Sequence, residues 1–122
     1  MPIYKLKTFA RFAWDEGISD ASLADAIERA ERGLIDANLG GHLIKQRVAR
    51  QGQGRSGGHR VLIAYRGASF SLFLYGFAKK DRENLDAKEM RFVRELADAW
   101  LNASPNAVRE ALQDGKLIEV TR

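Results

Sequence analysis

The sequence predicts an α+β domain: an N-terminal strand and a helical hairpin packed on an antiparallel meander, followed by a C-terminal helix. Three observations carry this. Apolar residues recur at helical spacing over residues 8–34 and again over 87–101. Between these stretches lie runs rich in β-branched and apolar residues, joined by glycine-rich or short polar turns. A chain of 122 residues, 45% hydrophobic with two prolines, is long enough for a core of its own and too apolar to remain disordered.

Each element has its own signal. "IYKLK" at residues 3–7 reads as a strand of the short length usual at a sheet edge. Thr8 can N-cap "FARFAWDEG", where Phe9, Phe12, Ala13 and Glu16 share a face and Gly17 suits the position after the helix. "SDASLADAIERAERG" is a second helix, with Leu23, Ile27, Ala30 and Leu34 at helical spacing and Gly33 near its end. "LIDANLGG" reads as a connection, after which the period changes. "HLIKQRVAR" and "HRVLIAY" have strand character, and "FSLFLYGFA" is apolar enough to be covered on both faces. Asp86 and Glu89 fit a capping box that opens "AKEMRFVRELADAWLN", whose Met90, Val93, Leu96, Ala97 and Trp100 form a core stripe. Ser104-Pro105 starts a short helix through Gln113, Gly115 ends it, and "KLIEV" is a final strand.

Composition narrows the chemistry. With no cysteine there is neither a disulfide nor a thiolate metal site, and His42 and His59 are the only histidines. No cofactor and no metal are expected. The N-terminal stretch lacks a signal-peptide core, and no run approaches the ~20 apolar residues of a membrane span. A cytoplasmic protein away from membranes is the expectation.

Charge is concentrated in the middle. Between His42 and Arg82 stand nine Lys/Arg and one acid, Asp81, a net +8 that leaves −4 for the remainder of a +4 chain. Such a segment suits a polyanion. It also contains Gly52, Gly54 and Gly57, which fit the G-x-G-x-x-G of dinucleotide-binding folds. That fingerprint requires a helix immediately after it, so that the pyrophosphate meets the helix N-terminus. Here "HRVLIAYRG" comes next, which is strand-like. The loop therefore reads as a glycine-rich hairpin connection whose arginines face phosphate.

The order of elements, with "SGGHRVLIAYRG" and "FLYGFAKKDRENL", resembles the RelE/ParE superfamily of toxins from type II toxin–antitoxin pairs, and its RelE/HigB-like branch in particular. The resemblance runs over about residues 3–102, as the core of a single RelE-like domain at 1–122, with 103–122 as a C-terminal extension. In RelE-type toxins a Gly-Tyr-Arg at the start of a central strand supplies a catalytic arginine, and Gly58-His59-Arg60 stands in that place. A basic cluster ends the last strand, matched by Lys79, Lys80 and Arg82, and alternating basic residues on the preceding strand are matched by Lys45 and Arg47. The tyrosine is replaced by His59, and no aromatic residue stands near Asp86.

The resemblance implies a ribosome-dependent endoribonuclease that cleaves mRNA by 2′-hydroxyl attack, independent of metal. That reaction needs charge stabilisation at phosphorus, proton removal from the nucleophile and protonation of the leaving oxygen. Arg60 is the first candidate for charge stabilisation, with Lys80 and Arg82 completing a clamp. Lys45 would stabilise or protonate. Arg47, Arg50, Arg55, Lys79 and Arg66 would bind RNA and ribosome. His59 has the chemistry of an acid/base, although strand alternation sets it on the opposite face from Arg60. The implied partners are an antitoxin, expected to be a helix-turn-helix protein, together with mRNA and the ribosome. A ParE-like gyrase poison and a non-catalytic RNA-binding domain remain open alternatives.

Overall fold

The structure is a computed structural model that describes residues 1–49, 58–66 and 69–122. Its elements are β1 (Ile3–Leu6), α1 (Lys7–Asp15), α2 (Asp20–Glu31), β2 (Ala37–Gly40), β3 (Leu43–Val48), β4 (His59–Ala64), β5 (Ser71–Ala78), α3 (Ala87–Leu101), α4 (Pro105–Gln113) and β6 (Leu117–Glu119). The architecture is α+β. Among the described residues the strands form one mixed sheet in the order β2-β3-β4-β5-β1-β6. β2 to β5 pair antiparallel in succession, β1 joins β5 in parallel, and β6 joins β1 antiparallel.

The helices cover both faces of the sheet. Tyr75 and Gly76 are neighbours on β5 and face opposite ways. Tyr75 reaches Glu89 of α3, whereas a side chain at Gly76 would collide with the ring of Phe12 on α1. Gln46 of β3, fully buried, donates to the carbonyls of Ala26 and Leu34 and accepts from the Asp36 N–H, tying α2 to the sheet. Phe9, Leu23, Ile27, Ile63 and Phe73 fill one layer, and the apolar stripe of α3 buries Val93 and Ala97 on the other side.

Several local expectations need correction. β1 has the length of an edge strand but lies between β5 and β6. α1 starts one residue before Thr8, directly out of β1, and has no side-chain cap. Its first-turn Lys7 N–H is satisfied instead by the carbonyl of Lys116, a contact that the local sequence does not announce. Leu34 does not continue the α2 stripe, because the helix stops at Glu31 and Gly33 at φ +82° turns Leu34 out to 57% exposure. "LIDANLGG" contains β2, a strand made by pairing with the β3 edge through an irregular register at Asn38 and Gly40 rather than by local preference. The capping box at Asp86 and Glu89, the Ser104 cap and the final strand stand where the residues put them.

Candidate functional site

Strand register assembles the basic groups. Arg60 on β4 lies directly opposite Arg47 on β3 and Phe77 on β5, while Lys45 and Tyr75 both lie opposite Leu62. Directly opposed residues share a face, so Lys45, Arg47, Arg60, Tyr75 and Phe77 project from the α3 side of the sheet. Gly58 sets the entry into β4. A Cβ there would overlap the Val48 carbonyl, so only glycine fits where the two backbones close just before Arg60.

Arg60 is 8% exposed, and its Nη1 has no hydrogen-bond partner among the described residues. A desolvated guanidinium with an unused donor is costly in a folded protein, and a bound anion would relieve the cost. Arg82 comes back over the same region from the turn after β5. Its guanidinium carbon lies 5.4 Å from the centre of the Phe77 ring, and its two Nη atoms donate to the Glu89 carboxylate at 2.5 and 2.7 Å. Glu89 also accepts from the Tyr75 hydroxyl at 3.4 Å and from the Asp86 N–H at 3.2 Å. Lys45 Nζ donates to Asn84 Oδ1 at 2.7 Å, so Asn84 holds Lys45 while Glu89 of α3 holds Arg82.

The remaining candidates divide. Arg47 is half exposed and turned to the sheet margin, where Asp36 accepts its Nη2 at 3.0 Å and its backbone N–H at 2.7 Å. Lys79 and Lys80 lie in the turn after β5, at the Arg60 end of the sheet, with Lys80 exposed and the Lys79 N–H bonded to the Gly58 carbonyl. Arg66 is not brought to this cluster. It stands past the other end of β4 at φ +50°, over the ring of Tyr65 and 3.8 Å from Glu31. His59 points to α1, 2% exposed, with Nε2 2.9 Å from Glu16 Oε1 and its ring edge-on to Phe12. Arg50, Arg55 and the three glycines of the fingerprint lie outside the described residues, and the next element along the chain is β4, not a helix. Among the described residues no group of three or more His, Asp or Glu side chains is arranged to hold a metal ion, and no helix is long and apolar enough to cross a membrane.

The pairings set the ionisation. The bond from Arg82, helped by the Asp86 N–H, holds Glu89 down to about 2 from 4.5, and Glu89 in return raises Arg82. Burial pushes Asp36 upward, but the backbone N–H, side chain and charge of Arg47, with the charge of Arg29, outweigh it and leave Asp36 lowered. Burial raises the Tyr65 hydroxyl. A lowered carboxylate stabilises the fold above its unfolded value, and the contribution disappears as pH falls through the folded one. The stability linked to Glu89 is therefore complete above pH 4.5 and is lost on descent to about 2. Acid unfolding followed by circular dichroism should shift less steeply over that window in Glu89→Gln than in the wild type. Equal slopes would mean that the Arg82 pair does not persist in solution.

A mixed sheet with helices on both faces and basic groups gathered on one of them defines a small α+β protein. The model of the family described as RelE toxin of the RelE/RelB toxin–antitoxin system matches residues 1–120, and the chain belongs to that family. It is a toxin of a toxin–antitoxin system. The match extends past residue 102 through α4 and β6; Leu117 of β6 and Val120 just after it are buried. No curated protein matches the chain.

Sequence reading missed Glu89, Asn84 and Phe77 as neighbours of the basic groups. Glu89 did carry a signal, but it was a signal for helix capping. Nothing local distinguishes a carboxylate that caps a helix from one that does so while gripping an arginine seven residues earlier.

Proposed function

We propose that this toxin is a metal-independent endoribonuclease of the RelE/HigB-like branch that cleaves mRNA on the ribosome. In the reaction the 2′-oxygen attacks the adjacent phosphorus, its proton passes to a base, and the phosphorus–5′-oxygen bond breaks as that oxygen takes up a proton. Arg60 stabilises the charge that develops on the phosphoryl oxygens, and Arg82 and Lys80 close the clamp. Lys45 is the group nearest in character to an acid for the leaving oxygen. Arg47 and Lys79, with Arg50 and Arg55, extend the contact to RNA and ribosomal phosphates, and Arg66 would add a separate contact further along the sheet. His59 receives no part in proton transfer in this reading, because it faces α1 and is bound to Glu16. The chain works as one unit over 1–122, in the cytoplasm, under a helix-turn-helix antitoxin.

The observation that carries this reading is the desolvated Arg60 guanidinium with an unused Nη1 among the described residues, set between Arg47 and the Arg82-capped Phe77. Purified toxin should cleave mRNA in programmed ribosomes, with ends mapped by primer extension, and leave naked mRNA intact. Inhibition of gyrase supercoiling without cleavage would replace this reading by the ParE-like one. Retention of RNA without either activity would leave a binding domain.

A further inference from the structure

The basic groups of the site are held by neighbours that no phosphate-binding role requires. Glu89 is the clearest case, since it grips Arg82, a candidate clamp residue, with both carboxylate oxygens. Two functions are open to such a carboxylate. It can compete with phosphate for the arginine, or it can hold the arginine in place for phosphate.

We infer that Glu89 is a positioning residue, one that fixes the Arg82 guanidinium over Phe77 so that its remaining donors meet a substrate phosphate without prior reorganisation. The inference rests on the nuclease reading and goes beyond it. Three features favour positioning over competition. First, Glu89 takes one N–H from each Nη, and that mode leaves the other fork, Nε–H with the adjacent Nη–H, unused by the carboxylate. Arg82 can therefore hold a carboxylate and a phosphate together. Second, Glu89 is itself fixed: the Asp86 side chain accepts its backbone N–H at 2.8 Å while its own carboxylate accepts the Asp86 N–H. A carboxylate built into the first turn of α3 is poorly suited to swing away for an incoming anion. Third, Phe77 supports the guanidinium from the sheet side at 5.4 Å, and Phe77 lies directly opposite Arg60. The Arg82 plane is thus defined by a ring and a carboxylate, next to the arginine with the unused donor. Preorganised donors of this kind need no rearrangement at the transition state.

Glu89→Gln separates this role from a structural one. Glutamine still serves the capping box, because its amide oxygen can accept the Asp86 N–H. Its amide NH₂ cannot accept from Arg82, so the fork is broken. Growth arrest on induction, and the single-turnover cleavage rate on ribosomes, should each fall about tenfold or more, while circular dichroism shows the variant still fully folded at the assay temperature despite the stability lost with the pair. Arg82→Ala should lose activity to a similar extent, and the double variant little further, because the two residues act as one unit. Glu89→Gln equal to the wild type would overturn the inference, and a more active Glu89→Gln would establish competition instead. Full additivity of the two losses would also overturn it. If the wild type arrests growth without cutting mRNA, the nuclease reading fails, and the comparison of variants in growth arrest still decides the role of Glu89.

A second measurement requires no variant. In nitrogen–proton spectra of the wild type, a non-cleavable 2′-O-methyl oligonucleotide should shift the Arg82 Nε–H while the slow-rotating Nη signals of the Glu89 pair persist. Loss of those Nη signals on binding would mean that RNA displaces Glu89, and the inference would fall.

Discussion

Arg60→Ala should reduce growth arrest and ribosomal mRNA cleavage by about 10²–10³-fold, the usual loss for a preorganised charge-stabilising donor. The same substitution should leave the melting temperature unchanged or slightly raised. Arg60 is 8% exposed and its Nη1 has no partner among the described residues, so the folded protein carries part of the cost of a desolvated cation. Replacing such a group with a neutral side chain removes that cost, which offsets the packing lost with its buried stem. Arg60 stands directly opposite Arg47, so its removal also relieves a like-charge pair across the strands. Loss of activity without loss of stability is the signature of a group kept for its ligand. Arg60→Lys should recover little, because a point ammonium cannot reproduce a guanidinium fork. An Arg60→Ala protein that is fully toxic would remove Arg60 from the site, and one that melts well below the wild type would make it a structural residue.

The difference between what the sequence discloses and what it conceals tracks the range of the interactions. Helix ends with a side-chain cap are local, and Asp86 and Ser104 cap where residue type places them. The facing of β3 and β4 also comes from alternation, which put Lys45 with Arg47 and parted His59 from Arg60, whereas on β5 a register irregularity turns Phe73 to Phe9 and Tyr75 to α3. The start of α1 and the strand β2 depended on partners distant in sequence, Lys116 and β3, and were not legible. The same holds within the site. A basic cluster can be counted from composition, but composition cannot show that Arg82 lies on Phe77 and Glu89, or that Asn84 engages Lys45 from 39 residues away. Nor does it show that Arg66, one of nine cations in the central segment, pairs with Glu31 and stands apart from Arg60 and Arg82. The fold was written largely in local pattern, whereas the neighbours of each cation were written in register.

Arg29→Met should lower stability by about 3 kcal/mol, enough to move the urea midpoint well outside experimental error. Arg29 is a 6% exposed cation on the inner face of α2. It donates to Asp25 at 3.0 Å and to the Arg47 carbonyl, and its Nη1 lies 3.6 Å from Asp36. Methionine keeps much of the buried volume but leaves that carbonyl unpaired and Asp36 dependent on Arg47 alone. Breaking one partner of a buried pair costs about 3–5 kcal/mol, and the low end applies because Asp25 is half exposed. Arg66→Ala provides the contrast: its 3.8 Å pair with Glu31 is on the surface, and the loss should stay below ~1 kcal/mol. The Arg29 network also backs the strand that carries Lys45 and Arg47, two residues of the proposed site. Its pH dependence has a defined sign. Asp36 is lowered in the fold, so its contribution is present above the ordinary value of 3.8 and is lost as pH falls through the lower folded value. Removing Arg29 takes away one of the charges that lower Asp36, so the variant should gain less stability between low pH and neutrality than the wild type. A variant with the wild-type midpoint and the wild-type pH slope would mean that α2 is held to β3 by Gln46 and apolar packing alone.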